Sequence, residues 1–188
     1  MSAFGIVFDT TKTLIKGLHD ALFADPATAL FANQIMTLPP TSADAGTEGK
    51  KISFWPYRIT RDEFVSNEPL VPLGPDLLAY PPLIVDVWYL LTPITGSGDS
   101  DQLVVEKALE YVYDLDGPLV VNGIQTRTRL TFETPGTDEL FRLWSAMDAA
   151  YALSCVFCAR SVAIDSLRPP QRAARVIERY DRYVRMGT

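Results

Sequence analysis

Between Ala3 and Leu22, the apolar residues Phe4, Val7, Leu14, Leu18 and Leu22 recur at near-helical intervals, which predicts an opening helix with Ser2 as N-cap and Asp25-Pro26 as its stop. Phe31 to Leu38 reads as a short strand ended by Pro39-Pro40, and Thr41 to Gly49 as a polar loop. Lys51 to Thr60 is aromatic and β-branched, but Pro56 has no amide to donate, so an edge strand or a bulge is expected there. Residues 61–81 carry Pro69, Pro72, Gly74, Pro75 and Pro81, the composition of a long surface excursion, and loops of that length are usually functional or interfacial. Pro82 to Thr92 is apolar at successive positions apart from Asp86, which suits a central strand buried on both faces.

In the second half, Ser100 is placed to cap a helix whose apolar positions Leu103, Val104, Ala108, Leu109, Val112 and Leu115 recur at three and four, ending at Gly117-Pro118. Ile124 to Glu133 alternates polar and apolar residues, as a strand with one wet face does. Thr137 caps a short helix with Leu140, Leu143, Trp144 and Met147 on its apolar side, and Tyr151 to Ile164 reads as a long last strand. Pro169-Pro170 then separates a helix starting near Gln171. Strands interleaved with helices and hairpin-compatible links predict an α+β fold: a single domain over residues 1–167 with a mostly antiparallel sheet flanked by helices, followed by a basic helical arm, 168–188.

Charge modifies this picture. The chain of 188 residues has a formal net charge of -6, yet from Arg168 onward six arginines face only Glu178 and Asp181, a local balance of +4 that leaves -10 for the rest. An acidic body argues against nucleic acid as partner, because phosphate neutralisation needs a basic field. An acidic body with a basic tail favours contact with acidic surfaces, copies of itself included. No run reaches the roughly 18 uncharged apolar residues of a membrane span, and Asp9 interrupts the first apolar stretch where a signal peptide would have its hydrophobic region. A soluble chain held in the cytoplasm until assembly is therefore expected, without membrane insertion.

Candidate chemistry is sparse. Cys155 and Cys158 lie inside a strand pattern that points residues three apart to opposite faces, which favours small buried core residues over a redox or zinc pair. His19 is the single histidine, and its neighbour Asp20 is not expected to face it on a helix. Asp99, Asp101, Asp114 and Asp116 lack the ligand order and glycine of a calcium loop. There is no phosphate-binding glycine motif and no nucleophile elbow. No catalytic residue, metal or cofactor is assigned, and no enzymatic activity is expected. The one patterned feature is Arg168, Arg172, Arg175, Arg179 and Arg182, spaced 4, 3, 4, 3, which form one stripe if helical, beside the apolar Ala173, Val176, Ile177, Tyr180 and Val184. Guanidinium groups so arrayed suit bidentate pairing with carboxylates of a neighbouring subunit, while a helix packed on its own domain is the plainer alternative.

FRLWSAMDAAYALSCVFCARSVAIDS, Phe141 to Ser166, resembles the N-terminal domain family of the cap proteins of extracellular contractile injection systems, relatives of the anti-feeding prophage and of insecticidal virulence cassettes. PPLIVDVWYLLTP and KISFWPYRI are similar to two further strands of that family and arrive in its order, so the resemblance covers roughly residues 3–166. It implies a tail terminator: a hexameric ring on the last layer of inner tube and sheath that stops further stacking. Members often continue with a longer region, of which only a short stretch follows Ser166 here. A phage-type neck or head-completion ring, or a small-molecule-binding domain or enzyme with a scattered site, are the rival readings, and neither accounts for the three matched segments.

Overall fold

A computed structural model of the chain describes residues 5–42, 50–62 and 69–172. Its centre is a five-stranded sheet in the order β1-β2-β5-β9-β8, formed by β1 (Ile35–Met36), β2 (Lys51–Arg61), β5 (Leu83–Ile94), β8 (Arg129–Glu133) and β9 (Cys155–Ile164). Every pairing in it is antiparallel except the two-residue β1–β2 contact. The helices α1 (Ile6–Ala24) and α2 (Gly98–Asp114) cover one face, and α3 (Thr137–Ala146) covers part of the other. The fold is α+β, a single domain of sheet flanked by helices.

β5 shows why the sheet divides two cores. Val85, Val87, Tyr89 and Leu91 point alternately to one side, where they meet Leu14, Leu18 and Leu22 of α1 and Val104 and Ala108 of α2. Leu90 points to the other side and packs with Trp144 of α3 and Val156 of β9. The buried Tyr89 shares a 2.8 Å hydrogen bond with Thr11, which pins α1 to the middle strand. Burial pushes this phenol up to about 12.

The lone acid of β5 also has a structural partner. The register between β5 and β9 shifts at Asp86, where β9 carries one extra residue and Ser161 adopts φ +60°. Asp86 Oδ1 accepts the Ser161 amide at 2.9 Å, and its second oxygen lies 3.5 Å from Arg160. A carboxylate inside an apolar strand thus satisfies the amide that the bulge removes from the ladder.

Several expectations are corrected. Gly5, at φ +91°, precedes the first helix, which runs to Ala24; Ser2 lies outside the described residues. Phe31 to Leu38 is not one strand: Ala29–Gln34 forms a 3-10 helix that buries Phe31 and Ala32, and only Ile35–Met36 pair. β2 carries the expected irregularity at Pro56, and β1 reaches only Ile52 and Ser53, so Pro56 lies where β2 has an open outer side among the described residues. The 61–81 excursion contains a hairpin, β3 (Val71–Gly74) and β4 (Leu77–Ala79). The middle helix begins after Ser97 instead of at Ser100. Ile124 to Glu133 breaks in two, because β6 (Val120–Val121) and β7 (Ile124–Gln125) close a hairpin over Asn122-Gly123, both with positive φ, before β8 starts at Arg129. The short helix follows Gly136, with Thr137 as its first residue, and the last long strand starts at Cys155 instead of Tyr151. Gln171–Arg172 open no helix but pair as a short strand, β10, with β4; residues 173–188 lie outside the described residues.

Candidate functional site

The predicted arginine stripe begins in a defined place. After β9 ends at Ile164, Arg168 lays its guanidinium over the Tyr80 ring at 5.0 Å. Gln171 hydrogen-bonds the Tyr80 hydroxyl, and β10 pairs Gln171 with Leu78 and Arg172 with Leu77. The base of the arm is therefore tied to the β3–β4 hairpin, whose Val71, Leu73 and Leu77 are exposed. Arg172 is exposed; Arg175, Arg179 and Arg182 lie outside the described residues, so the structure brings only Arg168 and Arg172 to this place.

The other candidates have structural partners. Cys155 and Cys158 are buried free thiols, Cys155 in the core under α1 and α2 and Cys158 turned to the opposite face. Burial pushes both up to about 12, far from the thiolate that a nucleophile or metal ligand requires. His19 does contact Asp20, against expectation: its Nδ1 lies 3.1 Å from Asp20 Oδ1 while Nε2 lies 3.2 Å from Asn33 and the ring stacks on Phe23. This is a surface cluster joining α1 to the 3-10 helix, and no nucleophile takes part in those contacts. Asp101 accepts the amide and hydroxyl of Thr95 at 2.9 and 2.8 Å, locking the turn into α2. No cluster of three or more His, Cys, Asp or Glu side chains suited to a metal occurs among the described residues, nor any helix there long and apolar enough to cross a membrane.

Two surfaces emerge that the sequence reading passed over. On the α3 face, Trp88 carries Arg58 at 5.3 Å and Arg160 at 5.9 Å, while Arg58 pairs with Glu139 at 2.9 Å and Arg160 with Glu133 at 2.7 Å. The cations are held over an aromatic plane by carboxylates from α3 and β8, and Arg160 also reaches Asp86 of β5. On the opposite face, an open groove of about 980 Å³ runs between α2 and β8. It is lined by Val105, Leu109 and Tyr113 of α2, by Leu130, Phe132 and Leu153 across from them, and by the polar Gln102, Glu106 and Glu110. Tyr113 is 91% and Phe132 48% exposed, and β8 has no further strand beside it among the described residues. The alternation of Leu130 and Phe132 was legible, but how far α2 covers that face was not: Leu130 is buried beneath it and Phe132 is left exposed.

The described residues thus form a sheet with helices on both faces that carries apolar and charged surface patches. The chain belongs to the Pvc16 N-terminal domain family, whose sequence profile matches residues 9–178. Its fold is similar to that of the sheath/tube terminator of an extracellular contractile injection system, PVC, in the extended state: TM-score 0.68 at 18% identity, over 97% of this chain and 64% of that one. It is also similar to the tube-terminating cap of the anti-feeding prophage, with TM-score 0.60 at 18% identity over 89% and 59% of the two chains. The chain thus spans about three fifths of the length of these solved structures. No curated protein matches the sequence.

Proposed function

We propose that this protein is a structural terminator subunit of a contractile injection system, assembling into a ring, a hexamer, that ends inner tube and sheath and stops their polymerisation. The observation that carries the reading is the family match over residues 9–178, joined to a fold shared along 97% of the chain with a sheath/tube terminator. Its partners are then other copies of itself and the last layer of tube and sheath, and it acts without catalysis, cofactor or nucleic acid. Assembly takes place in the cytoplasm, and the protein leaves the cell only as part of the particle.

The surface chemistry suits this role. Closed rings use heterologous interfaces in which two different patches meet, and the chain offers an acidic body and a basic arm from Arg168 to Arg182 as such a pair. Size-exclusion chromatography with light scattering, followed by two-dimensional averaging, tests the ring. The expected result is a closed ring at high protein concentration or on tube ends. A species that stays monomeric and ignores tube and sheath ends would contradict the proposal.

A further inference from the structure

We propose that residues 173–188 of one copy dock as an amphipathic helix in the groove between α2 and β8 of the neighbouring copy. The inference rests on the ring reading above and names the surface that receives the basic arm.

Charge is the first argument. α2 carries Asp99, Asp101, Glu106, Glu110 and Asp114 against a single basic residue, Lys107. Lys107 is already engaged by Asp25 at 3.2 Å and Glu110 at 2.7 Å, which leaves Glu106, on the groove rim, without an ion pair among the described residues. The arm supplies Arg175, Arg179, Arg182 and Arg185 against Glu178 and Asp181.

Spacing is the second. Gln102, Glu106 and Glu110 follow one another every four residues, about 6 Å per step along a helix. Arg175, Arg179 and Arg182 advance by four and three residues, about 6 and 4.5 Å, so two guanidinium groups can meet Glu106 and Glu110 together. With the arginines on the rim, Val176, Ile177, Tyr180 and Val184 are the arm residues available to the apolar floor made by Leu109, Leu130, Phe132 and Leu153. An amphipathic helix in an apolar groove, anchored at three- and four-residue intervals, is an established recognition geometry.

Reach selects the neighbour. β10 fixes the start of the arm on β4, which precedes β5 and lies at the sheet end where Leu83 pairs with Ile164. The groove is level with Phe132 and its partner Phe157, about 23 Å back along β9. Along a helix the arm's apolar stripe reaches Val184 about 18 Å beyond Arg172, before it could cover the groove of its own chain.

Cysteine cross-linking of the full chain tests this. A mass-tagged form carrying Glu106→Cys is mixed with an untagged form carrying Arg179→Cys and mildly oxidised; the native thiols are buried and do not compete. The expected product joins tagged to untagged chains, and adding Arg175→Glu with Arg182→Glu to the untagged form lowers its yield about tenfold. Cross-linking only within one chain that carries both cysteines would overturn the assignment to a neighbour. Absence of any cross-link while averaging still shows rings would overturn the groove as receptor and leave the ring intact. A wild type monomeric under the ring assay that still gives the mixed product would keep the docking and remove the ring.

Discussion

Cys155 and Cys158, with Tyr57, Tyr89 and Tyr111, are side chains whose ionisation burial opposes. Burial is the leading cause that pushes each of the five up to about 12, the thiols from 9.0 and the phenols from 10.0. The folded chain therefore keeps protons that the unfolded chain releases. Unfolding is favoured as pH rises through about 9 and 10, and the destabilisation grows until the native groups themselves ionise near 12. The melting temperature should fall progressively from pH 9 to pH 11, and the two thiols should resist alkylation at pH 8 until denaturant is added. Fast alkylation in native buffer, or a flat melting profile across that range, would contradict the burial described here. Their spacing inside an apolar strand pattern already indicated buried cysteines, whereas the role of Asp86 was not readable, because its partner Ser161 is 75 residues away along the chain.

Among the elements, those with strong periodicity were legible and those shaped by backbone geometry were less so. α1, α2, β5 and the long β9 follow the apolar pattern directly. Phe31 to Leu38 misled because a 3-10 helix buries Phe31 and Ala32 as well as a strand would, so the residues carry no period to distinguish the two. The hairpin at Asn122-Gly123 had a recognisable turn signal, which the cleaner alternation of the following residues obscured. The contact between α1 and α2 depends on Gly17, since a Cβ there would fall on the Tyr111 ring. Gly17→Ala should therefore lower the melting temperature even though alanine favours a helix by about 1 kcal/mol. In a Tyr111→Leu background the same substitution should become neutral or stabilising. Stabilisation by Gly17→Ala with Tyr111 present, measured by thermal denaturation, would mean that the two helices do not approach so closely.

At the scale of the whole molecule, the sequence made the family legible through three segments that the fold places in neighbouring elements: β2, β5, and α3 with β9. The surfaces were less legible, because the α2–β8 groove and the paired charges around Trp88 join residues far apart in sequence. The arginine stripe was visible as a pattern, yet the strand pairing of Gln171–Arg172 with β4 was not, since two exposed residues after Pro169-Pro170 carry no period. The central claim is that this chain ends a growing tube and sheath. Its most direct test is the length distribution, by electron microscopy, of particles growing from tube and sheath seeds before and after the purified protein is added. The account predicts that growth stops soon after addition, with a ring of extra density on the halted ends. Continued elongation at an unchanged rate, with bare ends, would contradict it.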